Sequence, residues 1–318
     1  MSESDQPDIR ISTIIPVYNG AATVARAIDS AFAQDYLNQE IIVVNDGSVD
    51  GTAEILKSFK DRINVINTFN GGAGRARNLG ITAARGELVA LLDADDAWLP
   101  GRLAKTVSLL RENTKTALVF SDYKRIDQTG SIIDETTVPA HRAHPPSMDE
   151  ILSNWWPISP TTVTMRKTVW ERCGRFRTDL PGFEDIEFFI RARQHGDFEY
   201  IGEPLALFQA NDPEKGPDKW PPDNFIRLLR NLYGERSANF VAEVRSSYAS
   251  AYAAKALREM DCGNRAAALR CWSKVLKFDP IFLFRTARLS RLAHPQNLAR
   301  VAKMILRKRN LPEDAERA

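Results

Sequence analysis

Leu88-Val89-Ala90-Leu91-Leu92-Asp93-Ala94-Asp95-Asp96 runs from five aliphatic residues straight into three carboxylates. An apolar run of that length reads as a strand covered on both faces, because an amphipathic strand would alternate. It is flanked by segments of helical period, Arg75 to Ala84 before it and Arg102 to Arg111 after it. The same unit recurs upstream. Ser12 to Val17, Ile41 to Val44 and Ile63 to Asn67 are further strand-length runs, as is Ala117 to Ser121 downstream, with helical patterns over Ala22 to Ala33 and Gly51 to Phe59. Strand and helix in alternation predict parallel strands joined by right-handed crossovers, a doubly wound α/β layer.

In such a layer ligands sit outside the carboxyl ends of the strands. The residues there are Tyr18-Asn19-Gly20, Asn45-Asp46-Gly47-Ser48, Asn70-Gly71-Gly72-Ala73-Gly74 and Asp93-Ala94-Asp95-Asp96. Asn, Asp, Gly and Ser also turn chains and cap helices, and Ser48 and Asp50 ahead of Gly51-Thr52 fit that role. Four polar clusters at one edge nevertheless describe a polar site. Carboxylates ending a buried strand raise one another's pKa unless a cation neutralises them. A divalent ion with oxygen ligands, Mg²⁺ or Mn²⁺, holding a diphosphate accounts for the triplet.

Composition sets the outer bounds. The 318 residues are 43% hydrophobic and 26% charged with a net charge of +2, a globular balance that gives no reason to expect nucleic acid. Cys173, Cys262 and Cys271 make no CxxC pair, and the four histidines no HExxH; His141 and His144 sit in a Pro-flanked stretch that reads as a loop. Met1 to Arg10 has neither a basic n-region nor an apolar h-region, and no apolar run approaches the ~20 residues of a membrane span. The expectation is a cytoplasmic protein.

Beyond residue 124 the alternation stops. Asp127-Gln128-Thr129-Gly130 predicts a hairpin turn, Ser147 to Glu150 a capping box, Thr161 to Met165 a strand, Asp185 to Gln194 a helix and Phe198 to Ile201 another strand. Pro213, Pro217, Pro221 and Pro222 mark a linker or lid, after which the pattern is helical. The expected organisation is a domain over 1–212 in two halves (1–121 and 122–212), a Pro-rich connection over 213–223 and a helical region over 224–318.

Five stretches together resemble family 2 glycosyltransferases of the GT-A fold. They are Ile14-Ile15-Pro16-Val17-Tyr18-Asn19, Val43 to Thr52, Gly74-Arg75-Ala76-Arg77-Asn78-Leu79-Gly80-Ile81, Gly86-Glu87 to Asp96, and Arg175-Phe176 followed by Gly182-Phe183-Glu184-Asp185. The resemblance covers about residues 9 to 210. It implies a Rossmann-like nucleotide-binding half and an acceptor half, and a nucleotide-diphosphate sugar as donor. Pro16, Tyr18, Asn19 and Asp46 would form the base pocket, and Gly72, Arg75 and Asn78 would approach ribose and phosphates. Asp93 would lie near the ribose and the metal, and Asp95 would ligate the metal. Asp185 would be the general base of an inverting single displacement, with Glu184 beside it for the acceptor. An acid at a helix start also reads as a first-turn residue stabilised by the helix dipole; the other four stretches favour the base. The chain departs from the family at Phe208-Gln209-Ala210-Asn211, where a histidine often follows the strand. It also has no Gln-x-x-Arg-Trp, which favours transfer of one sugar per encounter.

Two features lie outside those stretches. Trp155-Trp156 offers indole faces for an acceptor sugar or, equally, for the core. Tyr252, Ala256, Gly263, Ala268, Trp272 and Pro280 match one tetratricopeptide-like helical pair, a pattern shared with ordinary helical hairpins. Residues 281–318 carry nine Lys or Arg against three acids, beside Leu298, Val301, Ala302, Ile305 and Leu306 at helical spacing. A basic amphipathic helix reads as a membrane-surface element suited to a lipid-linked acceptor. A helix docked on the protein with its bases in water fits as well. Two rival functions stay in view. A sugar-1-phosphate nucleotidyltransferase would need a Gly-rich phosphate loop with Arg and Lys after the first strand, where this chain has Tyr18-Asn19-Gly20-Ala21. A non-catalytic scaffold binding partners through its helical third would leave the acidic stretches without a role.

Overall fold

The computed structural model describes residues 9–134, 158–210 and 222–280. Two compact units divide the chain, Met1–Asn211 and Asp212–Ala318.

The first unit begins as the alternation requires. Strands β1 (Ile11–Val17), β2 (Gln39–Asp46), β3 (Asn64–Thr68) and β4 (Leu88–Leu91) lie in the order β3-β2-β1-β4, all parallel. Helices α1 (Val24–Phe32), α2 (Thr52–Ser58) and α3 (Ala73–Ala83) make the crossovers. Every residue of β1 and β4 is buried, and Val24, Ala27, Ile28 and Ala31 line the inner face of α1 at helical spacing. β3 is the outer strand, and Asn64, Asn67 and Thr68 give it a polar edge that discourages pairing with another chain.

After β4 the sheet becomes mixed. A two-residue strand, β5 (Ala97–Trp98), and α4 (Arg102–Glu112) lead into β6 (Thr116–Ile126), which turns at Asp127–Gly130 into β7 (Ile132–Asp134). β6 contains the expected strand Ala117 to Ser121. β8 (Thr164–Arg166) lies between β4 and β6, antiparallel to both. β6 therefore keeps the direction of β4 but sits one place further out. The expected strand at Thr161 starts later, because Pro160–Thr162 forms a 3-10 turn. Helices α5 (Lys167–Cys173) and α6 (Glu184–Ala192) precede β9 (Asp197–Gln209), which pairs parallel to β6 and antiparallel to β5. β9 is far longer than the apolar run Phe198 to Ile201 suggested. It continues past Gly202-Glu203-Pro204, where its register with β6 shifts, into Leu205 and Ala206, which are buried again.

The second unit, as described, holds α7 (Asp223–Tyr233), α8 (Ala238–Asp261) and α9 (Arg265–Phe278). α8 and α9 form a hairpin around Ala249, Tyr252, Ala253, Ala256, Cys271, Trp272, Val275 and Phe278. Small residues at the crossing allow close approach, and Tyr252 stacks on Phe278 with centroids 5.8 Å apart. All three cysteines are free thiols. The basic segment 281–318, the stretch 211–221, the capping box at 147–150 and the Trp155-Trp156 pair lie outside the described residues.

Candidate functional site

The carboxyl ends of β1, β2, β3 and β4 bring the four polar clusters to one edge, and side-chain hydrogen bonds tie the loops together. The loops after β1 and β2 clasp each other. Asn19 N–H donates to Ser48 Oγ at 2.9 Å, and Asn19 Oδ1 accepts Val49 N–H at 2.9 Å. Asn19 holds φ +51°, a left-handed conformation that Asn tolerates better than most residues. Gly20 and Ala21 N–H reach Thr52 Oγ1 at 3.0 Å and Asp50 Oδ2 at 3.1 Å. Ser48, Asp50 and Thr52 thus serve the neighbouring loop, beyond any capping of α2. Tyr18, just past the end of β1, is left half exposed (51%), while Pro16 is buried within the strand.

Asp46 ends β2 and is buried. Its carboxylate accepts Gly71 N–H (3.0 Å) and Gly72 N–H (2.8 Å), fixing the start of α3. Arg75, expected near phosphates, folds back over this turn. Its Nη1 donates to Thr68 Oγ1 (2.9 Å) and to the Phe69 carbonyl (3.0 Å), and its guanidinium covers one face of Phe69 at 3.9 Å. Phe69 remains 72% exposed, so an exposed aromatic directly follows β3, as Tyr18 follows β1.

The acid turn after β4 divides its three carboxylates among three environments. Asp96 is buried, accepting Gln209 N–H at 2.7 Å and the Thr161 hydroxyl. Burial, then the charges of Asp95 and Asp93, push its pKa well above the carboxylate range. Asp96 braces the turn against the end of β9. Arg26 adds to the brace, donating from Nη2 to the Asp95 carbonyl (2.6 Å) and to Gln209 Oε1 (3.0 Å). The Asp95 side chain is exposed. Asp93, expected beside it as a metal ligand, is half-buried and has Oδ1 2.7 Å from Arg77 Nη2.

Arg77 is the residue that the sequence reading passed over. It is 4% exposed, and its second nitrogen, Nη1, donates to Glu184 Oε1 at 3.0 Å. Burial alone would depress its pKa, but Asp93, Glu184 and Asp185 together raise it above the ordinary arginine value. Glu184, expected to face the acceptor, has its other oxygen on Gly182 N–H at 2.7 Å. Asp185 follows at the first turn of α6, half-buried, with Oδ1 accepting Ile186 N–H at 2.7 Å. Desolvation first, then the Glu184 charge, push its pKa up to about 7, against the opposing pull of Arg77. Asn78 is turned away from the strand ends. Its Nδ2 donates to the Phe176 carbonyl (2.8 Å), and its Oδ1 accepts Phe176 N–H (2.9 Å) and Trp170 Nε1–H (3.1 Å). This bolts α3 to the segment leading into the Glu184-Asp185 pair.

Arg75 and Arg77 are two positions apart on one helix, so their side chains diverge by roughly 200°. One clasps the loop and the other turns inward. The signal was present in the quoted Gly74 to Ile81 stretch, but only the partners separate the two.

Among the described residues no group of three His, Cys, Asp or Glu is arranged to hold a metal ion. The donor set is instead one exposed carboxylate, Asp95, beside the partly engaged Asp93. That suits an ion such as Mg²⁺, which uses one or two carboxylates together with substrate phosphates rather than an all-protein cage.

A parallel α/β layer with a strand-end acid turn, continued into a mixed sheet, is a fold of the GT-A type. The model of Glycosyl transferase family 2 matches residues 12–177, more than half of the chain, and the chain belongs to that family. An uncharacterised glycosyltransferase of Rickettsia typhi is 45% identical over 119 residues, 37% of either chain, so the match spans little more than a third of that relative. WfgD of Escherichia coli, a UDP-Glc:alpha-D-GlcNAc-diphosphoundecaprenol beta-1,3-glucosyltransferase, is 33% identical over 42% of this chain and 52% of its own. Among solved structures, TarS 1-349 of S. aureus aligns with a TM-score of 0.60 at 18% identity, covering 95% of this chain and 92% of that one. Its complex with UDP-GlcNAc aligns at 0.59 and 18%, covering 85% and 91%. These likenesses show a shared fold.

Proposed function

We propose that this protein transfers a single sugar from a nucleotide-diphosphate sugar to a hydroxyl of a glycan or lipid-linked acceptor. The observation that carries the proposal is the placement of Asp185, a half-buried carboxylate with its pKa near 7, joined through Glu184 and Arg77 to Asp93 at the donor-side strand end. A base poised near neutrality can take the proton of a weakly nucleophilic hydroxyl and remain ionised before the reaction. The acceptor oxygen then forms its bond to the anomeric carbon as the bond to the diphosphate oxygen breaks. The nucleoside diphosphate leaves, and the configuration inverts. Tyr18, Asp46 and Asn19 form the base end, and the first turn of α3, which carries no acidic residue, offers its positive pole to phosphate. Asp95, with Asp93, would hold a divalent ion; when bound, such an ion neutralises charge developing on the leaving diphosphate.

A UDP-linked donor is favoured because TarS binds UDP-GlcNAc and WfgD is named for UDP-Glc. The WfgD name also favours an acceptor carried on a polyprenyl diphosphate, at the cytoplasmic face of a membrane. The basic segment 281–318 would meet the anionic lipid surface there. No helix among the described residues is long and apolar enough to cross a membrane.

The test is to screen UDP-, GDP- and dTDP-sugars by thermal shift with Mn²⁺ or EDTA. Transfer from any stabilising donor to polyprenyl-diphosphate-linked sugars then follows. A UDP-sugar that raises the midpoint and yields a glycosylated lipid with inverted linkage is the expected result. Release of pyrophosphate from a nucleoside triphosphate, or no response to any nucleotide sugar, would overturn the proposal.

A further inference from the structure

Within the proposed reaction, we infer that Arg77 is the positioning residue of the catalytic base, holding the Glu184-Asp185 pair against the strand end that carries Asp93. The inference rests on the transfer reading above, with Asp185 as base.

Asp185 has little to hold it. Among the described residues its carboxylate has one hydrogen bond, from the N–H of its own neighbour Ile186. Its place relative to the strand ends is therefore the place of the backbone at 182–185. Glu184 sets that backbone. Its Oε2 accepts Gly182 N–H at 2.7 Å, closing the turn before α6, and its Oε1 accepts Arg77 Nη1 at 3.0 Å. Arg77 Nη2 meets Asp93 Oδ1 at 2.7 Å. Both links leave one planar guanidinium, so the separation of the two carboxylates is built into a rigid group. The group is walled in, with the Phe176 ring 5.8 Å from its Cζ.

The backbone is fitted to this arrangement. A Cβ at Gly74 would come within 2.8 Å of the Arg177 carbonyl and 3.0 Å of Glu184 Cγ. α3 thus approaches the start of α6 as closely as a glycine allows, and Asn78 fastens the same helix to Phe176 and Trp170. Lysine would supply the charge but not two fixed nitrogens. Displacing a reacting group by ~1 Å costs about 100-fold in rate, and that is the effect expected of losing the fork.

The experiment uses the full chain and three variants, Arg77→Lys, Arg77→Ala and Glu184→Gln, with UDP-GlcNAc or UDP-glucose and Mn²⁺. It measures UDP release, with water as acceptor, and UDP affinity by calorimetry. For Arg77→Lys the expected result is a fall in kcat of about 100-fold with UDP affinity held within about threefold. Arg77→Ala should regain turnover when guanidinium ion is added. Wild-type kcat in Arg77→Lys would overturn the inference, as would a loss of UDP affinity that matches the loss of rate, which would place Arg77 on the donor. If Arg77→Lys fails to fold by circular dichroism, Glu184→Gln carries the test, because it leaves Arg77 in place. A selective fall in its kcat supports the inference, and an unchanged kcat overturns it. Absence of UDP release by the wild-type chain from every sugar nucleotide would overturn the transfer reading and this inference together. An active wild type with an equally active Arg77→Lys overturns this inference alone.

Discussion

The Asp46 carboxylate accepts the Gly72 N–H at 2.8 Å, so the last residue of β2 determines where α3 begins. The same carboxylate takes Gly71 N–H and lies 3.9 Å from Arg75 Nη1. A side chain expected to meet the nucleotide base thus also shapes the turn that leads to the phosphates. Replacing it leaves two backbone donors without their acceptor. Asp46→Ala is expected to cost about 1–3 kcal/mol of stability in urea denaturation and to lower UDP affinity as well. Normal stability with weakened UDP binding would confine Asp46 to the ligand.

The pH profile follows from Asp185. Its pKa is raised from the ordinary 3.8 to about 7, so the folded chain holds this proton more tightly than the unfolded chain. Its contribution to stability is complete below the unfolded value and is lost as pH rises towards 7. Asp185→Asn should therefore flatten that part of the stability profile and be more stable than wild type at pH 8. Catalysis has the opposite sign, because the base must be ionised: kcat/KM should rise with pH to a plateau beyond an inflection near 7. In Asp185→Asn, turnover should fall by about 10²–10⁴-fold while UDP binding persists.

Asp95 is tested by metal dependence. Asp95→Ala is expected to remove the Mn²⁺-dependent part of the UDP-sugar thermal shift, and EDTA should do the same to the wild type. Arg26 donates to the Asp95 main-chain oxygen, which the substitution leaves in place, so the turn should survive. A thermal shift equal with and without Mn²⁺ in both proteins would remove the ion from the reaction.

Gly47 turns the chain after Asp46 at φ +78°, and a Cβ there would lie 2.7 Å from the Asn70 nitrogen. Gly47→Ala should cost about 1–3 kcal/mol, read from its denaturation midpoint. UDP affinity should fall with it, because the displaced segment belongs to the Asp46 turn.

Arg102 is fully buried against Trp98, its Cζ 4.2 Å from the ring centroid. Nη1 reaches Thr164 Oγ1 at 3.2 Å, while Nε and Nη2 find no partner among the described residues. Desolvation lowers its pKa to about 9. A buried cation without a counter-charge is costly, so Arg102→Met should leave the thermal midpoint unchanged or raise it. A large drop would reveal an acceptor for those nitrogens.

Much of this molecule was legible because its signals are local. Apolar-rich runs marked the parallel strands, the 3.6 period marked α1 to α4, and Asp127 to Gly130 marked the hairpin into β7. The position of β8 was not legible, since nothing within a three-residue strand states which strands it will lie between. Nor was the continuity of β9, because Gly202-Glu203-Pro204 read as a break and only its pairing along β6 carries the strand through them.

The order of residues was enough to determine the parallel layer, the family and the acidic turn at the end of β4, because periodicity, turn chemistry and motif spacing are properties of neighbouring residues. Only the tertiary structure decided what each polar side chain does. It sent Asp96 inward and left Asp95 exposed; it folded Arg75 over its loop and drove Arg77 between Asp93 and Glu184. A charge in the interior is tolerated where a partner meets it, and those partners come from strands and helices up to about a hundred residues away.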